Sequence, residues 1–275
     1  MYYQQPIGIV VGRRDDIVQY ASTLVEVVYE ESNVEPLLST RQILRSGRGD
    51  RIINVRTVQP RRRGNDVRHV IKGTFDIYQQ YHFHMELQCC NVVPTEDGLD
   101  VYPSTQWMDL TQIAIANMLN IPNSRVNVTV RRCGGAFGAK ISRNGLVACA
   151  AALASWKLRQ PVKLSLPLRT NMAALGKRFP LSMDYEVGVN DSGVIQYLNC
   201  THYMDVGAQA NEDLSNEMVT LFMSAYDPDT FTIYVNKTIT DTPTNSWARA
   251  PGALVKIFGF HLIVNCRVVG GISLP

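Results

Sequence analysis

None of the six cysteines (Cys89, Cys90, Cys133, Cys149, Cys200 and Cys266) stands in a C-x-x-C pair, which argues against a zinc or iron–sulfur site built by this chain. No basic region followed by an apolar run opens the sequence, so no signal peptide is expected. A reducing, cytoplasmic setting fits, and N-x-[ST] triplets such as those at Asn127, Asn199 and Asn236 are then incidental. An excess of either charge is lacking. The formal balance is +3, with 19% charged residues, too little to argue for a nucleic-acid or membrane partner. The triplet Arg61-Arg62-Arg63 lacks interleaved aromatics and a second basic cluster. It reads as a solvated loop, with RNA binding as the alternative. His82 and His84 lie two apart, on one face of an expected strand near Glu86, without a third ligand at metal-binding spacing. Packing or hydrogen bonding is their expected role.

What is present is an ordinary globular composition, 45% hydrophobic over 275 residues. That length suits one large domain or two small ones, and a fold of this size buries roughly 75% of its unfolded surface. The stretch around which the chain is organised is Arg131-Arg132-Cys133-Gly134-Gly135-Ala136-Phe137-Gly138-Ala139-Lys140. An alternating strand, Val126–Val130, precedes it, and an Ala-rich helix, Leu146–Leu158, follows. A glycine-rich turn there lets backbone N–H groups approach a ligand closely. It is neither a Walker A loop nor a G-x-G-x-x-G run. Phe137 must fill a hole or form a wall, and spacing alone favours a tight turn with Phe137 anchored in the core.

The remaining elements follow from periodicity. Ile7–Val11 and Val25–Tyr29 read as strands around a helix capped by Asp15 or Asp16, with Ile17, Tyr20, Ala21 and Leu24 as its apolar face. Leu38–Arg45 reads as a short helix. Residues 1–48 look like the tail of a domain, and 49–66 like a linker. Strands follow from Val67, with a hairpin turn at Thr95-Glu96-Asp97-Gly98 and a helix at Leu110–Leu119 capped by Asp109. Further on come a strand at Val162–Leu166, a short helix near Asn171–Leu175, a hairpin about Asn190–Gly193, a helix ending at Met223 and a strand at Phe231–Ile239. Mixed strands, hairpins and helices indicate an α+β fold.

Four motifs in this order resemble a known family. They are His82-Phe83-His84-Met85-Glu86, Ser104-Thr105-Gln106, Gly134-Gly135-Ala136-Phe137-Gly138-Ala139-Lys140 and Asn245-Ser246-Trp247-Ala248-Arg249-Ala250-Pro251-Gly252. Together they are similar to the molybdenum hydroxylases, the aldehyde oxidase and xanthine dehydrogenase family. The resemblance covers about residues 6–252, and only a minority of the family's usual chain.

The resemblance implies that residues 1–48 end an α/β-hammerhead domain and that 67–252 form the first molybdopterin-binding domain, with 253–275 a divergent apolar tail. It implies a molybdopterin cofactor. Gln106 matches the glutamine that contacts an oxygen ligand of molybdenum, a task suited to a neutral amide donor. Ala136, Phe137 and Gly138 match the loop against the metal–dithiolene centre, and Arg249 matches the arginine beside the metal. Ile141 stands where purine-oxidising members carry glutamate, and Leu221 where they carry arginine. This turns the resemblance toward aldehyde oxidase, with an aldehyde or N-heterocycle as substrate of intact relatives. Ala139 replaces the family's glycine, a small change unless the position needs positive φ. The family's glutamate base is expected beyond this chain, as are the FAD and 2Fe-2S domains. Intact relatives are expected to be homodimers. As it stands, the chain is expected to be inactive: a molybdopterin-binding segment or, alternatively, a truncated non-catalytic paralogue, a remnant that binds cofactor or a partner.

Overall fold

The computed structural model describes residues 2, 4–30, 32–210, 212, 215–223 and 226–253. In chain order the elements begin with α1 (Asp15–Thr23), α2 (Thr40–Ser46), β1 (Ile52–Val58), β2 (His69–Ile77), β3 (Cys89–Pro94) and β4 (Leu99–Pro103). Next come α3 (Met108–Leu119), β5 (Val126–Val128), α4 (Asn144–Leu158), β6 (Val162–Ser165) and α5 (Leu168–Ala174). The last are β7 (Leu181–Val189), β8 (Ile195–Gly207), α6 (Ser215–Met223) and β9 (Phe231–Ile239). They divide into two compact units. One comprises residues 37–82 with the chain from 176 onward; the other comprises residues 2–36 and 83–175.

The first unit is built on a five-stranded sheet in the order β1-β9-β8-β7-β2. β7 and β8 form the expected antiparallel hairpin, and β8 runs parallel to β9. Leu181, Met183, Tyr185, Val187 and Val189 repeat every second residue along β7 and all lie buried, as a strand's alternation requires. Leu198, Cys200 and Met204 on β8 and Phe231, Ile233 and Val235 on β9 join them, with Met218, Val219 and Phe222 of α6. Each such side chain contributes about 1.5–3 kcal/mol on full burial. Ser39 caps α2 by accepting the N–H of Gln42, and Gly47 closes the helix at φ +67°. Ile43 is the α2 residue wholly removed from solvent.

The second unit carries a four-stranded sheet, β5-β4-β3-β6. α4 covers it with Val147, Ala148, Ala151 and Ala152, against Cys90, Val92, Leu99, Val101 and Val126 of the strands. The small alanines let the helix sit close to the sheet. α3 adds Ile115 and Ala116 to the same core. No helix among the described residues is long and apolar enough to cross a membrane.

The α+β class holds, and several local expectations need correction. Ile7–Val11 and Val25–Tyr29 pair with no strand among the described residues. Their residue types favour strands, but a strand without a partner leaves its backbone groups unpaired, and propensity alone does not form one. α1 forms but buries none of its side chains, so its expected apolar face is not a core face. Its N-cap is Arg14, and that of α3 is Trp107, neither with a side-chain cap bond; Asp15, Asp16 and Asp109 lie in the first turns instead. There their carboxylates still oppose the helix dipole favourably.

Residues 52–58, read as part of a linker, are strand β1 at the sheet edge. A bulge between Asn54 and Arg56 breaks its register, which is why Val55 and Val58, both packed on the core, do not alternate in sequence. The run His82–Glu86 is no strand either, since Phe83 takes φ +55°. His82 belongs to the first unit and His84 to the second. Both are hydrogen bonded, His82 Nε2 to the carbonyl of Trp247 at 2.7 Å and His84 Nδ1 to that of Glu86 at 2.5 Å. Each arginine of the triplet has a local partner. Arg61 and Arg62 pair with Asp229 and Asp227, and Arg63 lies over the Tyr197 ring. Of the expected apolar tail, residues 254–275 lie outside the described residues.

Candidate functional site

The glycine-rich loop fills the connection from β5 to α4 in the second unit. Gly135, Phe137 and Gly138 take φ of +91°, +53° and +103°. Two of the three are glycine, which meets no steric penalty there. Ala139 is not among the positive-φ positions and is buried, so its extra methyl is accommodated. Ala136 is buried beside it, while Phe137 is 46% exposed. The expectation that Phe137 anchors the core is therefore wrong. Its ring, on left-handed backbone, faces outward.

Two segments hold this loop from beneath. Gln88 donates to the Ala139 carbonyl at 2.8 Å, and Thr105 Oγ1 donates to the Lys140 carbonyl at 3.0 Å. The Gln106 N–H reaches the same Lys140 carbonyl at 2.9 Å. The Gln106 side chain then returns the contact. Its Oε1 accepts the N–H of Gly138 at 3.0 Å and that of Lys140 at 3.3 Å. Two backbone donors on one atom identify that atom as the oxygen. The amide NH2 therefore faces away from the loop, on an exposed residue, with no hydrogen-bond partner among the described residues.

Glu86 and Lys140 complete the base of the loop. Lys140 is fully buried, and its Nζ lies 2.6 Å from Glu86 Oε2. The same oxygen accepts the Gly134 N–H at 2.9 Å. A side chain at Gly134 would place its Cβ 2.6 Å from that of Glu86, so glycine is required there by space. Burial pushes the Glu86 carboxyl up, but the Lys140 ammonium and the Gly134 N–H outweigh it and hold the group below its ordinary value. Burial lowers His84, and the nearby Lys140 charge adds to that.

The other motif lies in the first unit. Asn245 is completely buried; its Oδ1 accepts the Lys177 N–H and its Nδ2 donates to the Asp205 carbonyl. Ala250 and Gly252 turn the chain at φ +57° and +74°. Arg178 donates to the carbonyls of Ala248 and Arg249, at 3.4 and 2.8 Å, and to Gln80 Oε1 at 2.8 Å. This half-buried guanidinium fixes the backbone that carries Arg249. The Arg249 side chain is exposed and makes no ion pair among the described residues.

The structure thus brings Gln106 into direct contact with Gly138 and sets Ala136, Phe137 and Ile141 on the same loop. Arg249 and Leu221, the latter on α6, belong to the other unit. Sequence reasoning missed the roles of Glu86, Lys140 and Arg178. The signal for the first two was available: a lysine ending a glycine run needs a carboxylate if it is to be buried.

Within the second unit, the exposed Gln106 amide offers donors beside a glycine-rich backbone. The glycine-rich backbone permits close approach, and the nearest carboxylate, Glu86, is committed to Lys140. Comparison with known proteins shows a family. The family model described as the molybdopterin cofactor-binding domain matches residues 50–265, a range containing both motifs. Aldehyde oxidase 4 of Arabidopsis thaliana is 32% identical over 264 residues, covering 90% of this chain and 19% of the relative. A nicotinate hydroxylase of Emericella nidulans is 34% identical over 212 residues, 74% of this chain and 15% of the relative. The chain therefore spans less than a fifth of these curated relatives. Quinoline 2-oxidoreductase from Pseudomonas putida 86 shares the fold at a TM-score of 0.77, with 19% identity over 95% of this chain and 35% of that one. Aldehyde oxidoreductase from Desulfovibrio gigas does so at 0.76, with 17% identity over 95% and 30%. With loop, amide and arginine all inside the matched range, the chain belongs to the molybdopterin cofactor-binding domain family of the molybdenum hydroxylases, the aldehyde oxidase and xanthine dehydrogenase type.

Proposed function

We propose that this chain supplies the cofactor-contact segment of an aldehyde-oxidase-like enzyme, with residues 67–252 as the first molybdopterin-binding domain and 1–48 as the end of an α/β-hammerhead domain. The observation that carries the reading is the Gln106 amide, whose oxygen is held by two loop N–H groups while its NH2 stays available. When bound, the molybdenum centre supplies the two-electron chemistry that turns an aldehyde and water into a carboxylic acid.

The chain's own residues bind and orient. Gln106 donates a hydrogen bond to an oxygen ligand of the metal. Ala136, Phe137 and Gly138 lie against the cofactor, with Phe137 excluding water. Arg249 holds negative charge as it develops. Ile141 and Leu221 give the substrate an apolar wall. Proton removal falls to a carboxylate outside the described residues, because Glu86 is engaged by Lys140 and Gly134 and kept as an anion of low basicity. FAD and 2Fe-2S groups held elsewhere in the enzyme would supply the route for electrons, and we place that enzyme in the cytoplasm as a homodimer.

The test is to produce the 275-residue chain in a host that makes molybdopterin, then measure bound molybdenum and aldehyde oxidation with a dye acceptor. Bound cofactor without steady turnover is expected, since loss of a positioned base alone costs about 10²–10⁴-fold in rate. Stoichiometric cofactor with multiple turnover would contradict the placement of the base. A folded chain without molybdenum would favour the non-catalytic remnant.

A further inference from the structure

We propose that Glu86 and Lys140 are positioning residues that close the glycine-rich loop into a clip and so fix the Gln106 amide; this rests on the reading of Gln106 as a cofactor donor. One carboxylate oxygen holds both ends of the loop, accepting the Gly134 N–H at 2.9 Å and the Lys140 ammonium at 2.6 Å. The Glu86 N–H adds a second link at the loop's start, donating to the Gly134 carbonyl at 2.9 Å.

From the far end of the clip the constraint passes to the amide. Lys140 is anchored by its side chain to Glu86 and by its carbonyl to Thr105 Oγ1 and the Gln106 N–H. Its own N–H, with that of Gly138, then meets Gln106 Oε1. Fixing the oxygen fixes which way the NH2 points. Between the two anchors Phe137 and Gly138 hold left-handed backbone, a conformation that persists in a non-glycine residue only when its surroundings determine it.

A buried ion pair repays its desolvation poorly, and well-packed apolar residues in its place are often neutral or stabilising. What an apolar pair cannot do is accept the Gly134 N–H. That difference separates a positioning role from a merely structural one.

The experiment compares the 275-residue chain with the double variant E86M/K140M. Amide hydrogen exchange at Gly134, Gly138 and Lys140 is read without cofactor, and molybdenum content after production in a cofactor-making host. The expected result is a melting temperature near that of the parent, exchange at Gly134 and Gly138 faster by about tenfold or more, and a matching fall in molybdenum content. Unchanged exchange and unchanged molybdenum in the double variant would overturn the proposal. Should the double variant fail to fold, E86D decides. It keeps the charge but withdraws the oxygen by one methylene, so it should release Gly134 from protection while Lys140 stays neutralised. Full protection at Gly134 and Gly138 in E86D would overturn the clip. A parent chain without molybdenum would count against the cofactor reading alone, and the exchange measurements would still decide the clip.

Discussion

The side-chain oxygen of Gln106 accepts the backbone N–H of Gly138 at 3.0 Å, and this contact decides which end of the amide the site presents. Gln106→Glu should keep the contact, because a carboxylate accepts from both loop N–H groups, yet it presents no donor. The variant is expected to melt close to the parent. In the assembled enzyme it should lose about 10²–10³-fold in kcat, the usual cost of one oriented donor. Gln106→Leu should lose both loop contacts as well, and destabilise the loop. Thermal melting and steady-state kinetics on both variants check the pair of outcomes.

The loop glycines predict a contrast between neighbours. Gly138→Ala places a Cβ at φ +103° and should destabilise by about 1–2 kcal/mol. Ala139→Gly restores the residue usual in the family but gains no needed backbone freedom, and should cost up to about 1 kcal/mol. Urea unfolding measures both. Equal effects at the two positions would contradict the backbone described here.

Much of this was legible in the sequence, for reasons that differ by element. β7 and β8 alternate cleanly about Asn190–Gly193 because one face is buried and the turn chemistry is local. α4 was legible from its alanines. β1 was not, since the bulge at Asn54/Arg56 removes the alternation that marks a strand. The segments near Ile7 and Val25 carry strand-forming residues, but pairing is a property of the partner. The outward Phe137 depends on a φ of +53° that composition does not reveal. The Glu86–Lys140 pair joins residues 54 apart, and no local pattern carries it.

Two buried groups in the first unit predict an unusual pH dependence. Burial raises the Asp205 carboxyl from 3.8 to about 6, against the opposing hydrogen bonds of Thr240 and Gly207. The folded chain holds that proton more tightly, so this contribution to stability is complete below about pH 4 and lost as pH rises through about 6. Burial lowers the His202 imidazole from 6.5 to about 4. Its contribution is complete above about pH 6.5 and lost as pH falls through about 4. The two oppose each other between pH 4 and 6. Asp205→Asn keeps an acceptor for Thr240 and removes one side of the balance. Its stability should climb with pH across that window more steeply than the parent's, by up to about 3 kcal/mol in total. Unfolding curves at pH 4, 5, 6 and 7 check this, and parallel profiles would contradict it.

Ile141 and Leu221 predict substrate choice in the enzyme that carries this segment. A purine's ring nitrogens and carbonyls would be desolvated against hydrocarbon, at about 1–3 kcal/mol for each unpaired group. Aldehydes should therefore be oxidised faster than xanthine. Competitive turnover of the two measures it, and faster xanthine oxidation would remove both residues from the substrate wall.

The central claim is that Gln106, Phe137 and Arg249, far apart in sequence, contact one cofactor. A crystal structure of the molybdenum-loaded enzyme tests it most directly. The account predicts the Gln106 NH2 within hydrogen-bond distance of an oxygen ligand of molybdenum, with the Phe137 ring and the Arg249 guanidinium beside the same centre. A well-ordered cofactor with any of these three side chains turned to a separate surface would contradict it.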